Sequence, residues 1–473
     1  IVLMIIGAIY SWFRGWTLTF ILIGTLFLNY LSQTTELFAY KNFAYGLDYN
    51  SDKADYSTEN IEKLATDSAS YASDKIAMLE ILNHWKRDYE TRFEHGKKPK
   101  LILICTSGGG LRSALWTYNV LQSADSICNG ELFANTRMIT GSSGGMIGAS
   151  YYRELYLRKK KGEKISLCNP VYRDRISDDI LNPVSFTIAT SDMFIRFQKF
   201  SDGPYSYTKD RGYMFEKYLD KNLGGVFGTK RLYEYRVPEE NADIPMMVFS
   251  PVIINHGRKL IISAQPVSFF THLKPTGNIH NTPSYGNIEF TRFFKNQNAQ
   301  NIRYTSVLRM NATFPYVMPM VTLPSEPMAE CMDAGLRDNY GSHLAVHFLF
   351  EFRNWIEHNT SGVIVLNIRD RQKKVDMPRS NQSLYKRLIK PASNVVDNIF
   401  FAQDFDDDYF MYYLQSILAT EVNVIDLCLR HDEKHKVSLS WHLTRLEKEQ
   451  VLNSIKFDEN KEGIERLRKL LIE

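Results

Sequence analysis

Arg137-Met138-Ile139-Thr140-Gly141-Ser142-Ser143-Gly144-Gly145-Met146 decides the fold. Arg137 to Thr140 predicts a short strand and Gly141 to Gly145 a tight turn. Met146 to Lys160 predicts a helix, because Ile147, Tyr151, Leu155 and Arg158 recur at helical spacing. A strand, a G-x-S-x-G turn and a helix in this order form the context of a nucleophile elbow. Gly141 and Gly145 flank the serines because so sharp a turn leaves no room for side chains to pass. The frame selects Ser143 and leaves Ser142 as the intervening residue. The helix that follows aims free N–H groups and its positive end at the same point.

Upstream, Leu101-Ile102-Leu103-Ile104-Cys105 is an unbroken apolar run and predicts a buried parallel strand. Ser107-Gly108-Gly109-Gly110-Leu111-Arg112 follows, then a helix from Ser113 to about Leu121. Consecutive glycines leave backbone N–H groups uncovered, free to face a developing negative charge, and each such donor is worth about 2.7–4 kcal/mol. A phosphate would fit a similar loop. However, the chain lacks both G-x-x-x-x-G-K-[ST] and G-x-G-x-x-G, which speaks against a nucleotide. Downstream, Asp333-Ala334-Gly335 offers a base. A serine hydroxyl stays inert until a base within about 2.6–3.2 Å takes its proton. An aspartate can do this if burial raises its basicity. Taken alone, Asp before a small residue and Gly is also an ordinary turn.

S-G-G-G-L-R, G-S-S-G-G and D-A-G in this order resemble the patatin-like phospholipases and, more distantly, the catalytic domain of cytosolic phospholipase A2. Arg309 to Pro319 is similar to the family's small-residue segment ahead of its aspartate motif, and Asp333 to Tyr340 to that motif's D-G-G-x-x-D-N-x continuation. The resemblance covers roughly Lys100 to Asp370, and more loosely the chain to about Thr444. It implies an α/β fold: a three-layer sandwich with a mostly parallel central sheet. It also implies a Ser143–Asp333 dyad without histidine, an oxyanion hole from Gly108, Gly109 and Gly110, and Arg112 steadying that loop or a substrate phosphate. The implied substrate is a phospholipid or other acyl lipid, with no cofactor. Two positions depart from the family pattern: Ala334, usually glycine, and Ser113, more often glycine or alanine. Both are small.

Other chemistries fit less well. The order Ser, Asp, His is that of α/β-hydrolase triads, and His343, His347, His431, His435 and His442 all follow Asp333. His343 and His347 are spaced i,i+4 but lack the glutamate of H-E-x-x-H. They are expected on one ordinary helix face. Asp404-Phe405-Asp406-Asp407-Asp408 imitates the start of a calcium loop without its glycine or terminal glutamate, and is expected to be a solvated acidic turn or helix start. No metal is expected.

The N-terminus carries two apolar runs, Ile1 to Tyr10 and Trp16 to Leu31, around Ser11-Trp12-Phe13-Arg14-Gly15. A membrane span needs about 20 apolar residues, and the aromatic ends suit the interface. Two transmembrane segments are expected over 1–31, the first truncated, with more chain upstream. No small-residue cleavage site follows a basic region, which disfavours a signal peptide. A net charge of +4 over 473 residues excludes a strong electrostatic claim on nucleic acid. Five cysteines without C-x-x-C argue against disulfides or zinc and favour a reducing compartment, hence a cytoplasmic catalytic domain.

The expected organisation is a helical connector over 32–98, a catalytic domain over 99–444 and a charged helical tail over 445–473. Paired strands are expected over Met246–Ile254 and Lys259–Ser263, and further strands over Gly362–Ile368 and near Val422–Leu429. Met193 to Phe200 mixes aromatics with cations, as would a lid facing lipid or a plain cover for the core. Arg158 to Lys164 would touch anionic headgroups or end a solvated helix. These observations together lead to a membrane-anchored serine lipid hydrolase. The alternatives are a membrane-associated serine peptidase on the same dyad, or a non-catalytic lipid-binding scaffold, for which Ala334 is the support.

Overall fold

Five parallel strands form the central sheet of the computed structural model, which describes residues 2–34, 41–93, 97–192, 198–272, 285–314, 317–372, 401–416, 418–430 and 436–472. They are β1 (Lys100–Thr106), β2 (Thr136–Gly141), β3 (Met246–Phe249), β9 (Gly362–Arg369) and β10 (Val422–Cys428), in the order β10-β9-β1-β2-β3. β1 pairs in parallel with β2 on one side and with β9 on the other. The strand order reverses beside β1, and a ligand crevice opens at the carboxyl ends of such strands.

The alternation of side chains along β1 sorts the core into two faces. Ile102 and Ile104 join the apolar cluster under α4 (Gly110–Ile127) and α5 (Ser143–Lys160), with Leu115, Trp116 and Ile147. Leu101, Leu103 and Cys105 join the opposite cluster, under α3 (Ser68–Arg92) and α8 (Ser342–Glu351), with Leu82, Trp85 and Phe348. A sheet buried on both faces needs continuous apolar strands, which is why β1 and β9 read as unbroken runs.

A second, mixed sheet lies beside the first. It contains β4 (Val252–Ile253), β5 (Arg258–Ile261), β6 (Asn287–Glu289), β7 (Val321–Thr322) and β8 (Glu330–Met332), ordered β7-β8-β4-β5-β6. The run expected as one strand over Met246–Ile254 is thus divided. Its first part is β3 of the parallel sheet, and its second part is β4, antiparallel to β5. Pro251, which has no N–H to give to a ladder, stands at the change of sheet. β8 delivers Asp333 to the site, and the Asp333 amide donates to the Thr313 carbonyl at 2.9 Å.

The N-terminus forms α1 (Val2–Phe13) and α2 (Thr17–Thr34), joined by one turn at Arg14–Trp16 where Arg14 takes φ +44°. Among the described residues one helical run, Gly7–Leu31, is long and apolar enough to cross a membrane, where two spans were expected. Large side chains along it, including Trp12, Trp16 and Leu18, are exposed. Residues 41–93 enter the core: Ala44, Tyr45 and Leu47 are buried, and Ala54–Asp55 pairs with Ser325–Glu326. The acidic stretch is a correction. Asp404 bonds Arg369 at 2.7 Å and Asp407 is buried against the Ser342 hydroxyl, so two of its carboxylates turn inward from the helix over 401–416. The tail forms α9 (Arg445–Asn453) and α10 (Asp458–Ile472), with Val451, Ile464 and Leu467 buried. In the basic run, Arg158 pairs with Glu154 at 3.0 Å and Lys160 with Asp243 at 2.8 Å.

A buried charge network holds the element that leads into the aspartate loop. In α7 (Tyr304–Asn311), Arg309 donates from Nε to Glu216 of α6 (Arg211–Asn222) at 2.7 Å, and Thr305 and Ser306 donate to the same carboxylate at 2.7 Å each. Removing one partner of a buried pair strands the other charge, at a cost of about 3–5 kcal/mol. Glu216→Ala is therefore expected to lower unfolding stability by about that amount in urea titrations. A change below about 1 kcal/mol would mean that Arg309 finds another partner.

Candidate active site

The elbow follows directly from β2. Gly141 takes φ +146°, and a Cβ there would lie 2.0 Å from the Thr106 carbonyl oxygen. A Cβ on Gly145 would lie 2.4 Å from the Ser107 carbonyl. Both positions accept only hydrogen, so the turn and the end of β1 touch backbone to backbone. Ser143 sits between them at φ +51°, a left-handed conformation uncommon for a residue with a side chain and concentrated at functional sites. It begins α5. The two serines separate cleanly. The Ser142 hydroxyl is held by Asn339, 2.8 Å from its carbonyl and 2.9 Å from its Oδ1, whereas Ser143 lines the cavity.

The glycine loop caps the end of β1. Gly109 and Gly110 take φ +149° and +61°. The Gly108 amide donates to Asn339 Oδ1 at 3.0 Å. Of the three expected oxyanion donors, only Gly109 and Gly110 keep amides without an acceptor among the described residues. Arg112 is tied to Asp370 Oδ2 at 2.7 Å and to the Val437 carbonyl at 2.8 Å. Asp370, just beyond β9, also receives the Ser107 hydroxyl at 3.2 Å and returns its own amide to that oxygen at 2.7 Å. Ser113 uses its hydroxyl to bond the Ser107 carbonyl at 2.6 Å, a bond that glycine or alanine there would lack.

Asp333 is buried, and burial pushes its carboxyl up to about 6. The Gly335 amide donates to the carboxylate at 2.8 Å and, with the Ser143 hydroxyl nearby, pulls it partly back. Among the described residues no cation lowers it, so the carboxylate keeps its raised basicity. Ala334 is buried without a positive φ, so glycine is not required there.

These groups share one cavity of about 430 Å³, lined by Gly108, Gly109, Gly110, Arg112, Ser143 and Asp333 among others. Its apolar walls come from Leu181, Phe314, Val317, Leu336, Leu439 and Trp441. No histidine among the described residues lines it. His343 and His347 are both depressed by burial, His347 packs edge-on against Phe270, and His442 bonds Asp179 at 3.1 Å. His431 and His435 lie outside the described residues, as does 193–197 of the suggested lid. Phe200, which closes that segment, packs on Tyr45 and Tyr213.

The family model described as patatin-like phospholipase matches residues 104–346, just over half of the chain. The chain belongs to the patatin-like phospholipase family. No curated protein matches the chain. Among solved structures, human GIVD cytosolic phospholipase A2 is similar at 12% identity and a TM-score of 0.38, over 63% of this chain and 47% of that one. Its complex with methyl gamma-linolenyl fluorophosphonate gives 10% identity and 0.41, over 89% and 65%. VipD from Legionella pneumophila gives 10% and 0.31, over 80% and 69%. The chain thus spans about half to two thirds of the length of these proteins.

Four parts of this patatin-like site were not assigned from sequence. Asn339 and Asp370 work through bonds to the loop and the elbow. Gln403 donates to the Gly335 carbonyl at 3.1 Å and accepts the Asn339 amide at 2.8 Å. A strap over 436–441 forms a wall: Ser440 accepts the Leu111 amide at 2.8 Å, and Trp441 accepts the Ile180 and Leu181 amides at 3.1 and 3.2 Å. The D-N of the aspartate motif was the one sequence signal for any of them. Asp370→Ala would release Ser107 and Arg112 together. Labelling of Ser143 by a fluorophosphonate is expected to slow about 10²-fold, as for a site displaced by about 1 Å. An unchanged rate would show that the strap alone sets the loop.

Proposed function

We propose that this protein is a membrane-anchored serine acyl hydrolase of the phospholipase A or lysophospholipase type, working through a Ser143–Asp333 dyad. One observation carries the reading: a buried aspartate, raised to about 6, and an elbow serine line the same largely apolar cavity. Asp333 takes the Ser143 proton as Oγ attacks the ester carbonyl. The oxyanion faces the Gly109 and Gly110 amides, charge-stabilising donors fixed before the reaction. The proton passes to the departing alcohol, leaving acyl-Ser143. Water then gives a proton to Asp333 as it attacks the acyl carbonyl, and Asp333 passes that proton to Ser143 Oγ as the acyl–oxygen bond breaks and the fatty acid leaves. The cavity walls take the acyl chain, a common division between apolar walls and few polar groups.

Arg112 acts on this reading as a loop brace, since its guanidinium is committed to Asp370 and Val437. The exposed apolar run Gly7–Leu31 supports a tether, which would raise the effective concentration of substrate at the site. The five free cysteines support a cytoplasmic face. No cofactor takes part.

Ser143→Ala is expected to abolish fluorophosphonate labelling and to cut fatty-acid release from phospholipid vesicles by about 10³-fold or more. Release that survives in the variant would refute the serine mechanism. The base must be ionised to accept a proton. Protonation below its raised value of about 6 therefore removes activity. kcat/KM should fall about tenfold per pH unit below that point and level off above it. Asp333→Asn should lack this limb along with most of the activity. A wild-type limb near pH 4 would identify an unperturbed carboxylate as the base.

A further inference from the structure

The Asn339 side chain lies where three catalytic segments meet. Its Oδ1 accepts the Gly108 amide at 3.0 Å and stands 2.9 Å from the Ser142 hydroxyl, so it touches both the glycine loop and the elbow. Its backbone amide is fixed by Gln403 Oε1 at 2.8 Å, and Gln403 also holds the Gly335 carbonyl of the aspartate loop. Asn339 is buried and lines the cavity. A carboxamide oxygen has two lone pairs; here one takes the Gly108 amide, and the other faces the Ser142 hydroxyl, which is shared with the Asn339 carbonyl.

The site also constrains the charge of that oxygen. A methyl group built on Gly335 would lie 3.1 Å from Asn339 Oδ1 and 3.1 Å from Asp333 Oδ1, so these two oxygens are within about 6 Å of each other. A second carboxylate at that range would raise the base further and leave less of it ionised at neutral pH. An apolar residue would leave the buried Gly108 amide without an acceptor, while the Ser142 hydroxyl would keep only the backbone carbonyl of residue 339. What the position requires is a strong acceptor that carries no charge.

We propose that Asn339 is the positioning residue of the reaction: a neutral acceptor that locks the oxyanion loop to the elbow while leaving the basicity of Asp333 at its working level. This rests on the serine–aspartate reading above.

The test compares wild type, Ser143→Ala, Asn339→Ala, Asn339→Asp and Ser142→Ala. It measures fluorophosphonate labelling rates, and kcat and KM on a soluble aryl ester across the acid limb. Asn339→Ala is expected to lower kcat about 10²-fold with KM changed less than about threefold. Ser142→Ala, which removes the shared hydroxyl and leaves the Gly108 bond, should lower it less. Asn339→Asp keeps the acceptor and adds the charge. It should recover most of kcat in alkaline buffer while its acid limb moves up by about one pH unit. A wild-type kcat in Asn339→Ala, or an unmoved limb in Asn339→Asp, would overturn the assignment. Should Asn339→Ala fail to fold, the limb of Asn339→Asp decides alone. Failure of the underlying reading looks different: wild type itself would show no Ser143-dependent labelling, whereas failure of the Asn339 assignment leaves that labelling intact.

Discussion

The close backbone approach between the end of β1 and the turn after β2 governs the rest of the site. Gly141 and Gly145 press against the carbonyls of Thr106 and Ser107, and this contact sets how near Ser143 can come to the amides of the glycine loop. The parallel pairing of β1 with β2 brings the two turns to the same edge of the sheet. α4 and α5 then leave that edge side by side, their N-termini converging on one point. The placement of Ser143 against the glycine loop is therefore a property of two adjacent β–α units.

Around this contact, charge is placed by a simple rule. Cations that could lower the basicity of Asp333 are paired away from it: Arg112 with Asp370, and Arg369 with Asp404. The carboxylate itself is left to burial and to neutral donors. Elsewhere in the core, buried charges are matched at short range, as in Arg309 with Glu216 and Arg153 with Glu239. Among the described residues the proposed base is thus a buried carboxylate with no ion-pair partner, as a proton acceptor near neutral pH requires.

Local chemistry made part of this legible in the sequence. The glycines around Ser143 answer to a turn they themselves form, and the apolar run of β1 answers to burial on both faces, so neighbouring residues suffice to place them. Asp333 was found through its motif. Asn339, Gln403, Asp370 and the strap at 436–441 were not assigned, because their roles arise from bonds between segments far apart in the chain. The same limit explains the helix over 401–416. Its acidic residues look solvated in sequence, yet Arg369 and Ser342 draw two of them inward. At Met246–Ile254 the apolar pattern persists through Pro251, so hydrophobicity alone gives no sign that the chain changes sheets there.

The strap has a genetic consequence. Val437, Ser440 and Trp441 bind the glycine loop and the segment at Ile180–Leu181, and Leu439 and Trp441 supply a wall of the cavity. This wall is encoded after the last strand of the central sheet. A premature stop codon just beyond Cys428 would leave every dyad and loop residue in the translated product. It would nonetheless open the cavity to water and remove two of the tethers on the glycine loop, so such an allele would behave as a lesion of the active site.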